Sequence, residues 1–401
     1  MSLCLAVLAL QGTLVVLNKS EASASLIDLA TEAVVATVAT GEGPHEVAVS
    51  PDGRRALATN YGTQAAPGST LTLIDIEDGR ALRTIALGEH RRPHGVAWLA
   101  DGKRAVVTVE ASRALLVVDT DAGTIEAAIK TDQDVSHMVA LSQDGTRAFV
   151  ANIGSGSVTL VDLAGRKVVA TAPTGAGAEG IAVSPDGKEV WVTNRAADTV
   201  SVLDTAALRP LATVESKAFP IRVRFTPDGS QALVANARSG DVAVFDTKTR
   251  REVRRLRSDL KPKPGGQALL TFGESAVPVG IVVSPDGARA FVAHTSADAI
   301  AAFYLLGGKP AGILRAGREP DGMAYSPALC GRAGRDYSTV ARSVISTRAV
   351  CPDSSMPARN RSRKSVSRKG TPPSAISSPA RTITSVESSV TSTVWSRPAA
   401  R

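Results

Sequence analysis

The chain has 401 residues, with 46 Lys and Arg against 38 Asp and Glu, and aromatic residues make up only 3 % of it. The net charge of +8 suggests a nucleic-acid surface until it is located: 13 basic residues and only three acids (Asp336, Asp353, Glu387) follow Pro327, leaving 33 basic and 35 acidic residues, a net of −2, before it. A basic nucleic-acid face on the folded body is therefore not supported, and so few aromatics give no obvious stacking platform for sugars or bases.

At the N-terminus the apolar run Leu3 to Leu10 has no Lys or Arg before it. It is too short to span a membrane and lacks the charged start of a secretory signal. Two readings stand: the remnant of a signal peptide ending near Gln11, which implies a periplasmic or secreted protein, or a segment that frays. Thr13 to Leu17, Ser25 to Leu29 and Val34 to Val38 then read as three strands.

From there one phrase recurs: a small apolar strand, a Ser-Pro-Asp-Gly turn and a second strand ending in Thr-Asn or Ala-Asn. Its copies run Val47 to Asn60, Val139 to Asn152, Ile181 to Asn194, Val223 to Asn236 and Ile281 to His294, with a degraded copy from Val96 to Val109. The turn aspartates Asp52, Asp101, Asp144, Asp186, Asp228 and Asp286 are separated by 49, 43, 42, 42 and 58 residues. Proline presets φ and Asp bonds the backbone, so each turn is tight. Short strands at this period are the mark of a β-propeller, each repeat one blade. No stretch shows sustained helical periodicity, and the predicted class is all-β.

Inner strands beginning near Pro44, Pro93, Ser136, Ala178, Pro220 and Pro278 give six complete blades. A seventh, Pro320 to Pro327, has nothing after it that continues the pattern, while the three N-terminal strands lack a first one. A seven-bladed ring over residues 12–327, its last blade closed by both ends, follows and removes exposed sheet edges. Residues 328–401 contain 16 serines and no blade pattern, and are expected to be disordered. That tail reads as solvated chain, as a basic phosphorylatable or RNA-binding extension, or, the favoured reading, as an out-of-frame product. Cys330 and Cys351 lie in it and the ring itself has no cysteine, so disulfides and cysteine nucleophiles are excluded from the folded body.

The motif Trp191-Val192-Thr193-Asn194, with variants Leu57 to Asn60, Phe149 to Asn152 and Leu233 to Asn236, resembles the YVTN-repeat β-propeller family. The resemblance spans roughly Gly12 to Pro327. It implies the propeller fold and an exported protein; similar propellers occur in lactonases.

In a propeller the loops entering the inner strands surround one mouth of the central channel. The residue at that entry is, in chain order, His45, His94, His137, Glu179, Ile221, Val279 and Asp321. Three histidines and a glutamate from consecutive blades thus converge. Imidazole and carboxylate suit zinc or a similar divalent ion, and His45, His94, His137 and Glu179 are the candidate ligands. The same groups suit a metal-free ligand pocket, or the mouth is idle. His294, ending a second strand, and Tyr61, in the short insertion Tyr61 to Ser69, are placed on the same rim. Arg222 and Arg224 stand where other blades have small residues; they favour an anionic ligand or form salt bridges to a neighbouring blade. The insertion Arg257 to Ala276 reads either as a lid over the channel or as a tolerated surface insertion. The turn aspartates, those ending third strands (Asp75, Asp119, Asp162, Asp204, Asp246) and the motif asparagines read as structural.

No Gly-rich phosphate loop, serine nucleophile elbow, haem-attachment motif or DNA-reading helix is present. The leading expectation is an exported binding propeller, monomeric and without a transmembrane segment, that presents its channel mouth to a small ligand, a metal or a protein partner. The alternative is a metal-dependent, lactonase-like hydrolase or lyase.

Overall fold

Small and β-branched residues alternate with tight turns along the whole repeat region, and in a computed structural model of the protein every repeat closes into one four-stranded antiparallel sheet. Residues 10–264 and 272–331 are described. Seven such sheets form the ring. Blades 1 to 6 take their inner strands from Pro44–Val49, Pro93–Trp98, Ser136–Leu141, Ala178–Val183, Pro220–Phe225 and Pro278–Val283. Blade 7 is ordered Pro320–Ser326, Thr13–Asn18, Ser23–Asp28, Ala33–Ala39, so a C-terminal strand pairs with the N-terminal one. Their register sets Leu14 opposite Tyr325 and Val16 opposite Met323. The seven-bladed, doubly closed ring expected from the repeats is present. No helix among the described residues is long and apolar enough to cross a membrane.

The core lies between blades. Second and third strands are buried on both faces, and Trp191, Phe149, Phe245, Phe291 and Phe303 are the bulkiest side chains without exposure. The turn aspartates do what the turn chemistry predicts: Asp52, Asp144, Asp186, Asp228 and Asp286 each accept a hydrogen bond from the Ser or Thr two residues earlier. Asp75, Asp119, Asp162, Asp204 and Asp246 accept backbone N–H groups of their own turns.

The motif asparagines have a specific partner. Asn18, Asn60, Asn152 and Asn194 are buried, and each donates to two hydroxyls of the adjoining third strand, as Asn60 does to Thr70 and Thr72. Blade 2 replaces this lock with Val109 against Ala114 and Leu116, wholly apolar and buried, which is why its copy looks degraded. Blade 6 places His294 opposite Ala299, with Ala301 beyond it. The imidazole fills the space two hydroxyls would occupy.

Glycine sets the bore of the channel. One residue past the ring position stand Glu46, Gly95, Met138, Gly180, Arg222, Gly280 and Gly322. A Cβ on Gly95 would come within 2.7 Å of the His137 carbonyl, and one on Gly322 within 2.4 Å of the His45 carbonyl. Bare backbone at the four glycines lets those inner strands lie directly against the next.

Packing continues past the expected end at Pro327. Ala328 and Cys330 pack on the cluster around Leu26 and Ile74, and Gly331 N donates to Glu77 O. Residues 1–9, where a signal remnant was expected, the centre of the expected lid at 265–271, and the tail from 332 onward lie outside the described residues.

Candidate functional site

The strand entries and the ends of the second strands build a cavity of about 770 Å³ at one mouth of the channel. His45, His94, His137, Glu179, Ile221, Val279 and Asp321 all line it, as their common register requires. A second ring comes from the residues that follow the motif asparagines or, in blades 2 and 6, the Val109 and His294 in their place: Lys19, Tyr61, Glu110, Ile153, Arg195 and Thr295 line the same cavity. Sequence reasoning found Tyr61 from its insertion but missed Glu110, Lys19 and Arg195. The signal was available, because all of them share one register at the end of the second strand.

The threonine of the motif positions the histidines. Thr59 Oγ1 of blade 1 donates to the His94 carbonyl of blade 2 at 2.9 Å, and Thr108 Oγ1 of blade 2 donates to the His137 carbonyl of blade 3. The second strands of blades 1 and 2 thus each hold the entry residue of the next blade. The imidazoles consequently stack: His94 and His137 have ring centroids 3.5 Å apart, and His45 meets His94 edge-on at 4.4 Å. Tyr61 packs edge-on against both His45 and His94.

Carboxylates frame the stack. Glu110 Oε1 lies 2.6 Å from His137 Nδ1, while Tyr61 donates its hydroxyl to Glu110 Oε2 at 2.6 Å. Glu179 Oε1 sits 3.7 Å from His137 Nε2, and Glu179 Oε2 accepts from Arg195 at 2.8 Å. Asp321 Oδ2 approaches His45 Nδ1 at 2.6 Å, although the angle is poor for a hydrogen bond, and Lys19 at 3.7 Å. Arg222 is paired, bonding Glu46 across the channel and Glu179 at 3.3 Å. Of its two sequence readings, the salt bridge is the one observed.

Protonation differs sharply along the stack. Burial pushes the His94 imidazolium well below its ordinary range, and neighbouring His137 and His45 push further. Burial also disfavours the charged form of His137, but bonds to Glu110 and Glu179 outweigh it and raise its pKa. Burial opposes ionisation of Glu179 as well, yet His137, Arg195 and Arg222 bring it down to about 2. Asp321 is likewise held ionised, its burial overcome by His45 and Lys19. His94 is therefore neutral in the middle of an ionised frame.

His94 is 0 % exposed, and neither of its ring nitrogens has a hydrogen-bond partner among the described residues. A buried donor or acceptor left unpaired costs about 1–3 kcal/mol. Ligand atoms of His94, Glu110 and His137 all lie within 4.8 Å of one another, a compact set for one cation. The set expected from sequence was His45, His94, His137 and Glu179; the compact one keeps two histidines and takes Glu110 in place of the rest.

Two expected site residues lie elsewhere. His294 does not line the mouth: it is buried in the lock position of blade 6, 3.4 Å from Ser258 Oγ, with its pKa lowered by burial to about 4. Arg224 points to the other end of the channel, since alternate residues of an inner strand move away from the entry. Opposite the ionised arc, Phe219, Ile221, Phe272, Val277 and Val279 make an apolar wall, with Phe219 and Phe272 edge-to-face at 5.4 Å. Of the lid insertion, Phe272 reaches this wall, and Lys263 is tied to Asp298 at 2.6 Å.

Residues 101–222, under a third of the chain, match the Cytochrome D1 heme domain family. No curated protein matches the chain. Among solved structures, it is similar to a functionally unknown protein from Desulfotomaculum acetoxidans, at 16 % identity and a TM-score of 0.64, covering 79 % of this chain and 99 % of that one. It is also similar to a hydrazine synthase structure from Kuenenia stuttgartiensis, at 21 % identity and a TM-score of 0.56, covering 76 % and 92 %. At such identities the likeness is one of fold.

Proposed function

We propose that the protein is an exported binding propeller of the YVTN-repeat type, whose channel mouth holds a divalent transition-metal ion on His94, Glu110 and His137 and receives a small ligand beside it. The observation that carries this reading is His94, a neutral imidazole without exposure and with both nitrogens unpartnered, next to two further donors. Neutral imidazole with a carboxylate suits zinc and its neighbours in the periodic table. The apolar wall formed by Phe219, Phe272 and Val279 would take the body of the ligand. Export rests on the apolar run Leu3 to Leu10 and the family resemblance.

The partial match to a haem-domain family raises haem as a competitor. The residues do not fit one at this triad: the free nitrogens of His94 and His137 are buried, with the two rings stacked at 3.5 Å. A macrocycle needs open space around the axial nitrogen; a bare ion does not.

A second reading, a metal-dependent lactonase-like hydrolase, is favoured by His45. Its Nδ1 lies 2.6 Å from the Asp321 carboxylate, a charge contact that would favour this imidazole as a base beside a bound ion.

Elemental analysis of the full chain, purified without chelators or a His tag, tests the proposal. About one equivalent of a transition metal per chain, lost in His94→Ala, is the expected result. A folded protein that retains no metal, even after incubation with zinc, overturns it.

A further inference from the structure

The end of the channel away from the histidines has a chemistry of its own. Three residues past the ring position, the seven inner strands carry Ala48, Ala97, Ala140, Ala182, Arg224, Val282 and Ala324, and all seven line a cavity of about 630 Å³. Alanine at five of these positions leaves the bore wide. Trp98, Met138, Phe225 and Met323 are among the larger apolar side chains of its wall.

Into this basin the chain introduces one guanidinium where six other blades have Ala or Val. Arg224 is exposed to the channel, and its sole hydrogen bond among the described residues is a long one from Nε to the Ile281 carbonyl at 3.4 Å. Its two terminal nitrogens have no partner among the described residues. Glu46, the lining carboxylate, is already bonded to Arg222 one turn of the pleat away. Arg222 itself is held by Glu46 and Glu179 and cannot serve a ligand.

We propose that this basin is a second binding site, taking small organic monoanions with a compact apolar body, such as an aromatic or branched carboxylate. A planar guanidinium presents two parallel N–H donors that match a carboxylate, and the apolar side chains of the wall would take the body of the ligand. One free cation among the described lining residues, with the Glu46 carboxylate above it, selects against a second negative charge on the ligand. The volume, within the range of cavities that hold small organic ligands, admits a single ring with room to spare. This site stands apart from the proposed metal centre and does not depend on it.

Benzoate is the probe, titrated into the full chain by calorimetry, with benzyl alcohol as its uncharged counterpart. Saturable one-to-one benzoate binding is expected, with benzyl alcohol weaker by about 10-fold or more, the worth of roughly 1.4 kcal/mol. Arg224→Ala, which only copies the other blades, should abolish the benzoate signal, while Arg224→Lys weakens it by losing the bidentate fork. His94→Ala should leave it unchanged. Thermal melts of each variant establish that the fold persists. Absence of saturable binding to the unmodified protein overturns the proposal, as does equal binding by Arg224→Ala. A benzoate signal lost with His94 and kept without Arg224 would place the anion at the other mouth and overturn it equally.

Discussion

Arg222 of blade 5 and Glu46 of blade 1 occupy the same register, 176 residues apart, and are hydrogen-bonded to each other across the channel. Both are nearly buried, at 7 % and 8 % side-chain exposure. Every other blade has Gly or Met at that register, so the pair is a single bolt through an otherwise glycine-lined bore. Burial alone would favour neutral Arg222, but Glu46, Glu179 and Asp321 overcome it and hold the guanidinium charged.

Removing one end of that bolt should cost far more than removing both. Arg222→Met leaves Glu46 buried and unpaired, which destabilises by about 3–5 kcal/mol. The double variant Arg222→Met with Glu46→Met should recover most of it, because apolar replacements of a buried pair are often neutral. Chemical denaturation of Arg222→Met, Glu46→Met and the double variant checks this; additive losses would show that the two residues act independently.

The fold was legible because propeller repetition is a sequence-level property. The turn aspartates, the closing strand Pro320–Ser326 and the ring of entry residues all follow from register. His294 was misplaced because a register names a position and not its partner. Only the neighbouring strand reveals that Ala299 and Ala301 have vacated the space it fills. Glu110 was missed for a related reason. The second strand of blade 2 ends in Thr108-Val109, so the asparagine that marks the approach to the rim elsewhere is absent just before it. Arg224 was grouped with Arg222 because the two share a face of the strand, although the rise of about 3.3 Å per residue carries them to different ends of the bore.

Acid should loosen the mouth through Glu179. Its folded pKa of about 2 lies below the ordinary value of 4.5, so the carboxylate contributes stability above its unfolded pKa. That contribution falls as pH drops from about 4.5 towards 2, in all by on the order of 3 kcal/mol. His137 runs the other way: its raised pKa adds stability below 6.5 that fades as pH rises through the folded value. Urea melts across pH should therefore show a shallower acid limb in Glu179→Gln. An unchanged limb would assign acid sensitivity to other carboxylates.

Metal capture distinguishes the two candidate ligand sets. Glu110→Gln removes a donor of the compact triad and should lower zinc affinity by at least the roughly 10–100-fold that losing a carboxylate behind a ligand costs. His45→Ala, outside the triad, should leave affinity within the scatter of a competition assay with a chromogenic chelator. Should His45→Ala lose the metal while Glu110→Gln keeps it, the ligands are those expected from the strand entries alone.

Gly95→Ala tests whether the close approach of inner strands, and not the side chains alone, assembles the triad. The added methyl would meet the His137 carbonyl at 2.7 Å and the Met138 Cα at 2.8 Å, both backbone and neither free to swing aside. Blade 3 must therefore shift outward, carrying His137 away from His94 and straining the Thr108 bond to the His137 carbonyl. Overpacking of this kind costs about 1–3 kcal/mol. We expect a lower melting temperature together with weaker zinc binding, although no ligand has been touched. Val107→Ala in the neighbouring strand removes buried apolar surface from the same blade on the side that packs against blade 1, away from the seam with blade 3, and serves as the control. It should lower stability by a comparable amount and leave zinc affinity as it was; equal losses of zinc in both variants would trace the effect to general loosening of the blade.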